Sequence, residues 1–297
     1  MTVIELIERC SARLDQAGVC FGHGTANAFD EAAWLVLWRL GLPLDGLDQA
    51  AATLVDAEQQ AAVDGLVDQR ISTRKPAAYL TGEAWLQGVA FTVDERAIVP
   101  RSLIAEPLAD GTLDAWLPAH TRRVLDLCTG NGSLAVLAAL AWPEVVVDAS
   151  DVSTDALAVA RLNVDRHQLA GRIHLRHGDG MAAADRGYDL ILCNPPYVNR
   201  ASMAMLPPEY RAEPALALDG NCHGGNDGMD FIRCMLQAAP AHMTDDAVLV
   251  LEIGHERPHF DAAFPRLPAV WLPTSAGDEQ VLLITRNDLL QYPFTLP

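Results

Sequence analysis

The sequence predicts an α/β fold, with a mostly parallel sheet carrying helices on both faces, preceded by a small helical N-terminal domain and a β-hairpin linker. Three observations carry that expectation. From Arg123 onward, short apolar runs alternate with helical stretches, the pattern of a parallel sheet crossed by helices. Residues 1–82 lack strand alternation and place apolar side chains at helical spacing. Between the two, residues 83–104 hold aromatic and β-branched runs around Gly88, which reads as a hairpin.

In the first span, Ile4, Ile7 and Leu14, then Ala33, Leu37 and Leu40, mark helices interrupted by "GLPLDG". The run "AAATLVDAEQQAAVDGLVDQRIS" continues the pattern, and "TRKPAAYLTGE" ends it with a proline and a glycine. Residues 105–297 then form the main domain. Its opening run, "SLIAEPLADGTLDAWL", begins just before that boundary and reads as helical. Strands follow at "RVLDLC", "EVVVDASD", "RIHLRH" and "YDLILC", separated by the helices "SLAVLAALAW" and "DALAVARLNVDRH". Residues 198–228 read as one long loop bearing glycines and prolines, and loops of such length tend to be functional. The helix "DFIRCMLQAAPAHM" and the strands "AVLVLEIG" and "EQVLLITR" complete the sheet.

Composition narrows the possible functions. Half of the 297 residues are hydrophobic and a fifth are charged, which excludes a disordered chain. No apolar run reaches the roughly 18 residues of a spanning helix, and the first residues carry charges where a signal peptide needs an apolar core. A cytoplasmic protein without membrane attachment is expected. The six cysteines are scattered, with no C-x-x-C pair, so reduced thiols are expected rather than a metal site or a disulfide framework. A formal charge of −18 argues against direct DNA or RNA binding, which relies on clustered cations, and suits a basic protein partner.

The run "VLDLCTGNGSLAV" reads as a strand, a tight loop and a helix start. Gly130 and Gly132 permit positive φ and close approach of a ligand to the backbone, which points to a nucleotide-like ligand. The same spacing also fits a dinucleotide fingerprint. Asp151 ends the next strand, where a carboxylate can accept two ribose hydroxyls or cap the following helix, although Ser153 or Thr154 can also serve as that cap. Asp126 lies inside the first strand and has either loop amides or a ligand ammonium as its partner. Asp179 ends a further strand, as an adenine contact or as an ordinary turn residue.

After the strand "YDLIL" the chain reads "CNPPYVNR". Asn194 precedes a proline and is therefore biased to extended backbone, which aims its side chain. Pro195 and Pro196 have no N–H, so the corner offers acceptors without competing donors. Asn194 Oδ1 and the Pro195 carbonyl together suit both hydrogens of an NH₂ group, with Tyr197 as a stacking wall. As a bare sequence feature, the corner also fits a strand-ending turn.

Taken together, these motifs resemble the adenosylmethionine-dependent amino-methyltransferases with a Rossmann-like seven-stranded sheet. Within them, "NPPY" behind a helical N-terminal domain resembles the protein-glutamine N5-methyltransferases, which modify release factors and a ribosomal protein. The likeness spans nearly the whole chain, through "YLTGEAWLQGVAF", "VPRS" with Glu106, "DLCTGNG", "EYRAEPALAL" and "GGNDGM". "VPRS" and "DLCTG" stand where the release-factor branch tends to have "IPRPDTE" and "DLGTG", so the ribosomal-protein branch is the nearer one.

The resemblance implies methyl transfer to a glutamine side-chain amide in the third protein of the large ribosomal subunit, free or in an assembly intermediate. It assigns S-adenosylmethionine, later S-adenosylhomocysteine, to Asp126, Cys128, Thr129, Gly130, Gly132, Asp151, Val152, Asp179, Gly180 and Asn194. Asn194, Pro195 and Tyr197 become catalytic, and Pro196 joins them in holding substrate. The N-terminal helices become a substrate-recognition domain. Two departures stand out: Gly180 replaces an aromatic residue common in release-factor enzymes, and "GNCHG" lengthens the loop before "GNDGM". The alternatives are a release-factor enzyme, a nucleic-acid adenine amino-methyltransferase, a ligand-sensing assembly factor without catalysis, and a nicotinamide dehydrogenase.

Overall fold

A computed structural model describes residues 1–294 of the chain. Five helices come first: α1 (Val3–Gln16), α2 (Ala28–Arg39), α3 (Leu47–Ala50), α4 (Ala57–Thr73) and α5 (Ala77–Thr81). Thr2 and Glu5 cap the start of α1 reciprocally, as Asp56 and Gln59 do for α4, which satisfies amides a helix start leaves free. Val3, Leu6, Ile7, Cys10 and Leu14 form one buried stripe on α1 and pack with α2 and α4 into a core of their own.

A hairpin follows, β1 (Glu83–Leu86) and β2 (Val89–Thr92), closed by Gln87 and Gly88, both at positive φ. The expected linker 83–104 is a hairpin only in its first part. Residues 93–104 form no strand, because their buried side chains (Val93, Ala97, Val99 and Ile104) anchor an irregular path across the sheet's helices. The expected helix in "SLIAEPLADGTLDAWL" is also shorter than the pattern suggests. Only α6 (Ala105–Ala109) forms, and Gly111 at φ 80° then turns the chain into a 3₁₀ segment, Thr112–Trp116.

The main sheet has seven strands in the order β5-β4-β3-β6-β7-β9-β8. These are β3 (Arg123–Leu127), β4 (Val146–Asp151), β5 (Ile173–His177), β6 (Tyr188–Cys193), β7 (Met243–Glu252), β8 (Val270–Thr274) and β9 (Gly277–Thr285). β3 to β7 run parallel, and β9 pairs antiparallel with both β7 and β8. The edge strand β8 escapes the sequence pattern because it is short and holds Pro273, around which its register shifts.

Side-chain alternation divides the sheet between two cores. Val124, Leu190, Leu192, Val248 and Val250 face α7 (Ser133–Ala141) and α8 (Thr154–Arg166), whereas Leu125, Leu127, Ile191, Leu249 and Leu251 face the other layer. Between β6 and that second layer, the expected loop 198–228 folds into α9 (Arg200–Met205), α10 (Pro208–Arg211) and a 3₁₀ turn at Ala215–Ala217. The second layer is built by α11 (Asp230–Ala238), α12 (Arg257–Ala263) and α13 (Arg286–Gln291), of which the sequence reading anticipated only the first. Among the described residues, no helix is long and apolar enough to cross a membrane. Residues 295–297 of the expected main domain lie outside the described residues.

Asn163 ties the hairpin to the sheet. Fully buried on α8, it accepts from the Thr92 amide at 2.7 Å and donates to the carbonyls of Thr92 at 3.0 Å and Asn131 at 2.9 Å. Replacing it by leucine strands three buried backbone groups, each worth on the order of 1 kcal/mol or more. We expect Asn163→Leu to lower unfolding stability by about 2–4 kcal/mol, read as a lower urea midpoint at unchanged slope.

Candidate active site

The carboxyl ends of four parallel strands lie side by side. Leu127 pairs with both Ser150 and Cys193, and Asp151 pairs with His177. A cavity of about 590 Å³ opens there, within the usual size range of a small-molecule site. Cys128, Gly130, Asp151, Val152, Asp179, Gly180, Asn194 and Pro196 all line it. Asp126, Thr129, Gly132, Pro195 and Tyr197 do not.

Positive φ angles at alternate residues shape the loop after β3: Cys128 at 60°, Gly130 at 55° and Gly132 at 82°. A β-carbon on Gly132 would sit 3.1 Å from that of Ala160, so this glycine permits α7 to pack closely on α8. Cys128 takes the same backbone region with a side chain, at a cost of about 1–2 kcal/mol. The neighbouring Cys193 thiol, followed by burial, raises Cys128 well above the ordinary thiol range. It stays protonated and is no nucleophile.

Asp151 spans the loop and the next helix. Its Oδ2 accepts from the Gly130 amide at 2.9 Å and its Oδ1 from the Ser153 amide at 2.8 Å. The helix cap belongs to Ser153, whose hydroxyl accepts from the Ala156 amide at 3.1 Å. Burial raises the Asp151 carboxyl above its ordinary value, against the pull of those amide donors. A carboxylate with both oxygens braced in a cavity wall still has lone pairs for a pair of ligand hydroxyls.

Asp126 does a different job. Strand alternation turns it toward α7, where its Oδ2 accepts from the Thr129 hydroxyl at 2.5 Å and the Ala135 amide at 2.9 Å. Among the described residues its Oδ1 is buried without a partner. Burial pushes this carboxyl up to about 7, although both hydrogen bonds pull it down.

At the corner, Asn194 is half-buried in the cavity wall and Pro195 is buried beneath it. Tyr197 points away from the cavity: its hydroxyl donates to Glu252 Oε1 at 3.3 Å, and its ring lies on Gly254. A β-carbon at Gly254 would come within 2.7 Å of that ring. Burial, followed by the Glu252 carboxylate, raises the Tyr197 phenol well above its usual range and keeps it a donor. Glu252 Oε2 in turn accepts from the Ser102 hydroxyl at 2.6 Å and the Leu103 amide at 2.9 Å. The "GNDGM" run holds the corner's other side. Val198 bonds Leu218 and Gly220 through its backbone, its carbonyl also accepts from Asn221, and a β-carbon on Gly228 would lie 2.0 Å from the Tyr197 carbonyl oxygen.

Sequence reading missed part of the wall. Phe231, Cys234, Met235 and Ala238 line the cavity from one face of α11, a helical spacing that reads equally well as ordinary core. Phe231 lies 3.4 Å from where a Gly180 β-carbon would be, so its ring fills the space beside that glycine. Ile98, Pro214, Leu216 and Ala217 add to the apolar lining; the last three belong to the "EYRAEPALAL" run, whose place in the cavity wall the sequence does not reveal.

Residues 111–206 match the family described as methyltransferase small domain. The chain is 54% identical over 291 residues to a Bordetella pertussis protein named ribosomal protein uL3 glutamine methyltransferase, covering 97% of this chain and 96% of that one. A Burkholderia pseudomallei protein of the same name is 50% identical, with 97% and 95% covered. One from Neisseria meningitidis serogroup B is 45% identical, with 97% and 94% covered.

Asp126 yields a test that needs no ligand. Its carboxyl is raised from an unfolded value near 3.8 to about 7, so its contribution to stability is present below about pH 4 and lost as pH rises through 7. Asp126→Asn removes that titration. We expect the melting temperature of the variant, relative to the unmodified chain, to rise between pH 4 and pH 7 and to level off above it; a constant difference across that range contradicts burial as the dominant cause.

Proposed function

The chain belongs to the ribosomal protein uL3 glutamine methyltransferases, and on that footing we propose that it transfers the methyl group of S-adenosylmethionine to the side-chain amide nitrogen of one glutamine in uL3. The observation that carries this reading is the corner at the cavity mouth. Among the described residues, no protein group hydrogen-bonds the Asn194 side chain, which lines the same cavity as Asp151 and Gly130.

The cavity suits the cofactor on its own features. Asp151 offers a braced carboxylate to ribose hydroxyls, Gly130 gives close backbone approach, and Ile98, Phe231 and Met235 form apolar walls for a purine. Asp179 and Gly180 border the purine end, and Val152 follows Asp151 along the same wall. Asp126 and Thr129 act from behind by holding the loop to α7, with Gly132 allowing that helix its close packing. When bound, S-adenosylmethionine supplies a methyl group on a sulfonium, which is already electrophilic.

What remains for the protein is to orient a weak nucleophile. Asn194 Oδ1 and the Pro195 carbonyl accept the two amide hydrogens and thereby turn the nitrogen toward the methyl. Such positioning is worth up to roughly 7–11 kcal/mol over a free encounter. Both acceptors are amide carbonyls, far weaker bases than a carboxylate, so they direct the N–H bonds; as the nitrogen–methyl bond forms and the methyl–sulfur bond breaks to leave a neutral thioether, the nitrogen's surplus proton would pass to solvent water. Pro196 adds a donor-free surface at the mouth, and Tyr197, tied to Glu252, holds the corner's shape from behind.

The helices within residues 1–82 form the substrate-recognition unit, residues 83–104 link it to the sheet, and residues 105–297 make up the methyltransferase domain. A charge of −18 suits a basic ribosomal protein, met in the cytoplasm as free protein or assembly intermediate.

Incubation with S-adenosylmethionine and purified uL3 is expected to add one methyl group to a single glutamine-bearing peptide, read by mass spectrometry, while release factor, DNA and RNA stay unmodified. Methylation of nucleic acid and not of uL3 contradicts the assignment. Asn194→Ala should keep cofactor affinity and lower kcat by about 10²–10³-fold, on the scale of a lost preorganised polar contact. Gly254→Ala pushes the Tyr197 ring and should lower kcat on the order of 100-fold, as expected for a displacement of roughly 1 Å, again with cofactor binding kept in calorimetry.

A further inference from the structure

The run "EYRAEPALAL" leaves the corner region and meets the amino-terminal helices through buried charges. Glu213 is fully buried. Arg101 Nη1 and Nη2 donate to its two oxygens at 2.6 and 2.7 Å, the Val99 amide donates at 3.0 Å, and His23 Nε2 stands 3.4 Å away. Glu209, one turn earlier, accepts from the Cys20 amide at 3.0 Å, Arg74 at 3.1 Å and Arg70 at 3.3 Å. Arg70 is itself completely buried and also donates to Glu31 at 2.8 Å. Between the two glutamates, the Tyr210 ring packs against His23 at 4.4 Å and under the Arg101 guanidinium at 5.4 Å.

The same segment then turns into the active site. Pro214, Leu216, Ala217 and Asp219 line the cavity. The Leu218 carbonyl accepts from the Val198 amide at 2.9 Å, and the Gly220 amide donates to the Val198 carbonyl at 3.2 Å, directly after the corner. Residues 214–220 are thus a wall of the cofactor cavity and a backbone partner of the corner at once.

Buried ion pairs seldom hold an interface more firmly than apolar packing of the same volume, because desolvation offsets their attraction. What a bidentate guanidinium–carboxylate pair adds is a defined distance and angle. Burial opposes the charge on Glu213, and Arg101 and His23 outweigh it, holding the carboxyl down to about 2. It is ionised throughout the working pH range.

We propose that Glu213 is a positioning residue for methyl transfer: clamped by Arg101 and facing His23 of the loop between α1 and α2, with Glu209 one turn earlier held by Arg70 of α4, it sets the 214–220 segment at the place where cofactor wall and substrate corner meet. The amino-terminal helices are then part of the active-site scaffold as well as a recognition unit. This inference rests on the reading of the cavity as a cofactor site.

The test uses the full chain with Glu213→Gln, with Arg101→Lys, which keeps the charge and loses the fork, and with Asp189→Asn as control. Asp189 is buried at the opposite end of β6, where it accepts from the amides of Arg122 and Arg123. Melting temperature, S-adenosylmethionine affinity by calorimetry, and kcat and KM on uL3 are read for each. Glu213→Gln and Arg101→Lys are expected to weaken cofactor binding and to lower kcat/KM by about 10-fold or more, given that a 1 Å misplacement can cost on the order of 100-fold. Asp189→Asn lowers the melting temperature and changes neither binding nor turnover. If Glu213→Gln does not fold, Arg101→Lys decides by the same readings. Variants that melt earlier yet bind and turn over as the unmodified chain does overturn the proposal. Absence of cofactor binding by the unmodified chain overturns the reading of the cavity instead.

Discussion

The site depends on the parallel pairing of β3 with its two neighbours. With Leu127 opposite Ser150 on one side and Cys193 on the other, the glycine loop, the Asp151 carboxylate and the Asn194 corner emerge at one level of the sheet. Parallel strands also send every crossover to the same edge, so the loops that carry chemistry gather there. Slippage by one residue would reverse the facing of every side chain on the slipped strand. The apolar residues of β3 and β6, divided between two cores, make such slippage costly, so the burial pattern that folds the sheet also sets the alignment of the site.

Around that edge, acids of the same chemical type do separate work because their surroundings differ. Asp151 sits in the cavity wall, braced by amides and open to a ligand. Asp126, one strand over, is turned under the loop and stitches it to α7. Glu252 and Glu213 lie further back and never reach the cavity, yet each fixes a segment that does: the corner through Tyr197, and the 214–220 wall through Arg101. The arrangement is therefore layered, with the donor-free corner in front and charged, directional contacts behind it. The corner itself carries no charge, which is consistent with a task of orientation rather than proton removal.

The features legible in the sequence were those with local cause. Alternating strand and helix runs, the glycines at positive φ and the proline-fixed corner each declare themselves within a few residues, and the structure has the sheet and loop where those patterns lie. Less legible was anything set by distant partners. The expected role of Tyr197 as a wall of the site meets a side chain facing Glu252 and Gly254, residues more than fifty positions later. Gly180 stood out as a departure from the aromatic residue of release-factor enzymes, and Phe231 from α11 stands against it. The "EYRAE" and "VPRS" runs could be matched to a family without any sign that they meet; the structure joins them through the ion pair between Glu213 and Arg101, which no single segment reveals. Strand β8 was missed for a local reason, since a proline in a five-residue run speaks against a strand unless the strand is at an edge.

The central claim is that the corner holds a glutamine amide by two carbonyl acceptors beside the cofactor cavity. A crystal structure of the chain with S-adenosylhomocysteine and a glutamine-bearing uL3 peptide tests it directly. The account predicts the amide nitrogen within about 3.2 Å of both Asn194 Oδ1 and the Pro195 carbonyl oxygen, with the cofactor ribose on Asp151. An amide held by other groups, or a cofactor seated away from Asp151, would contradict it.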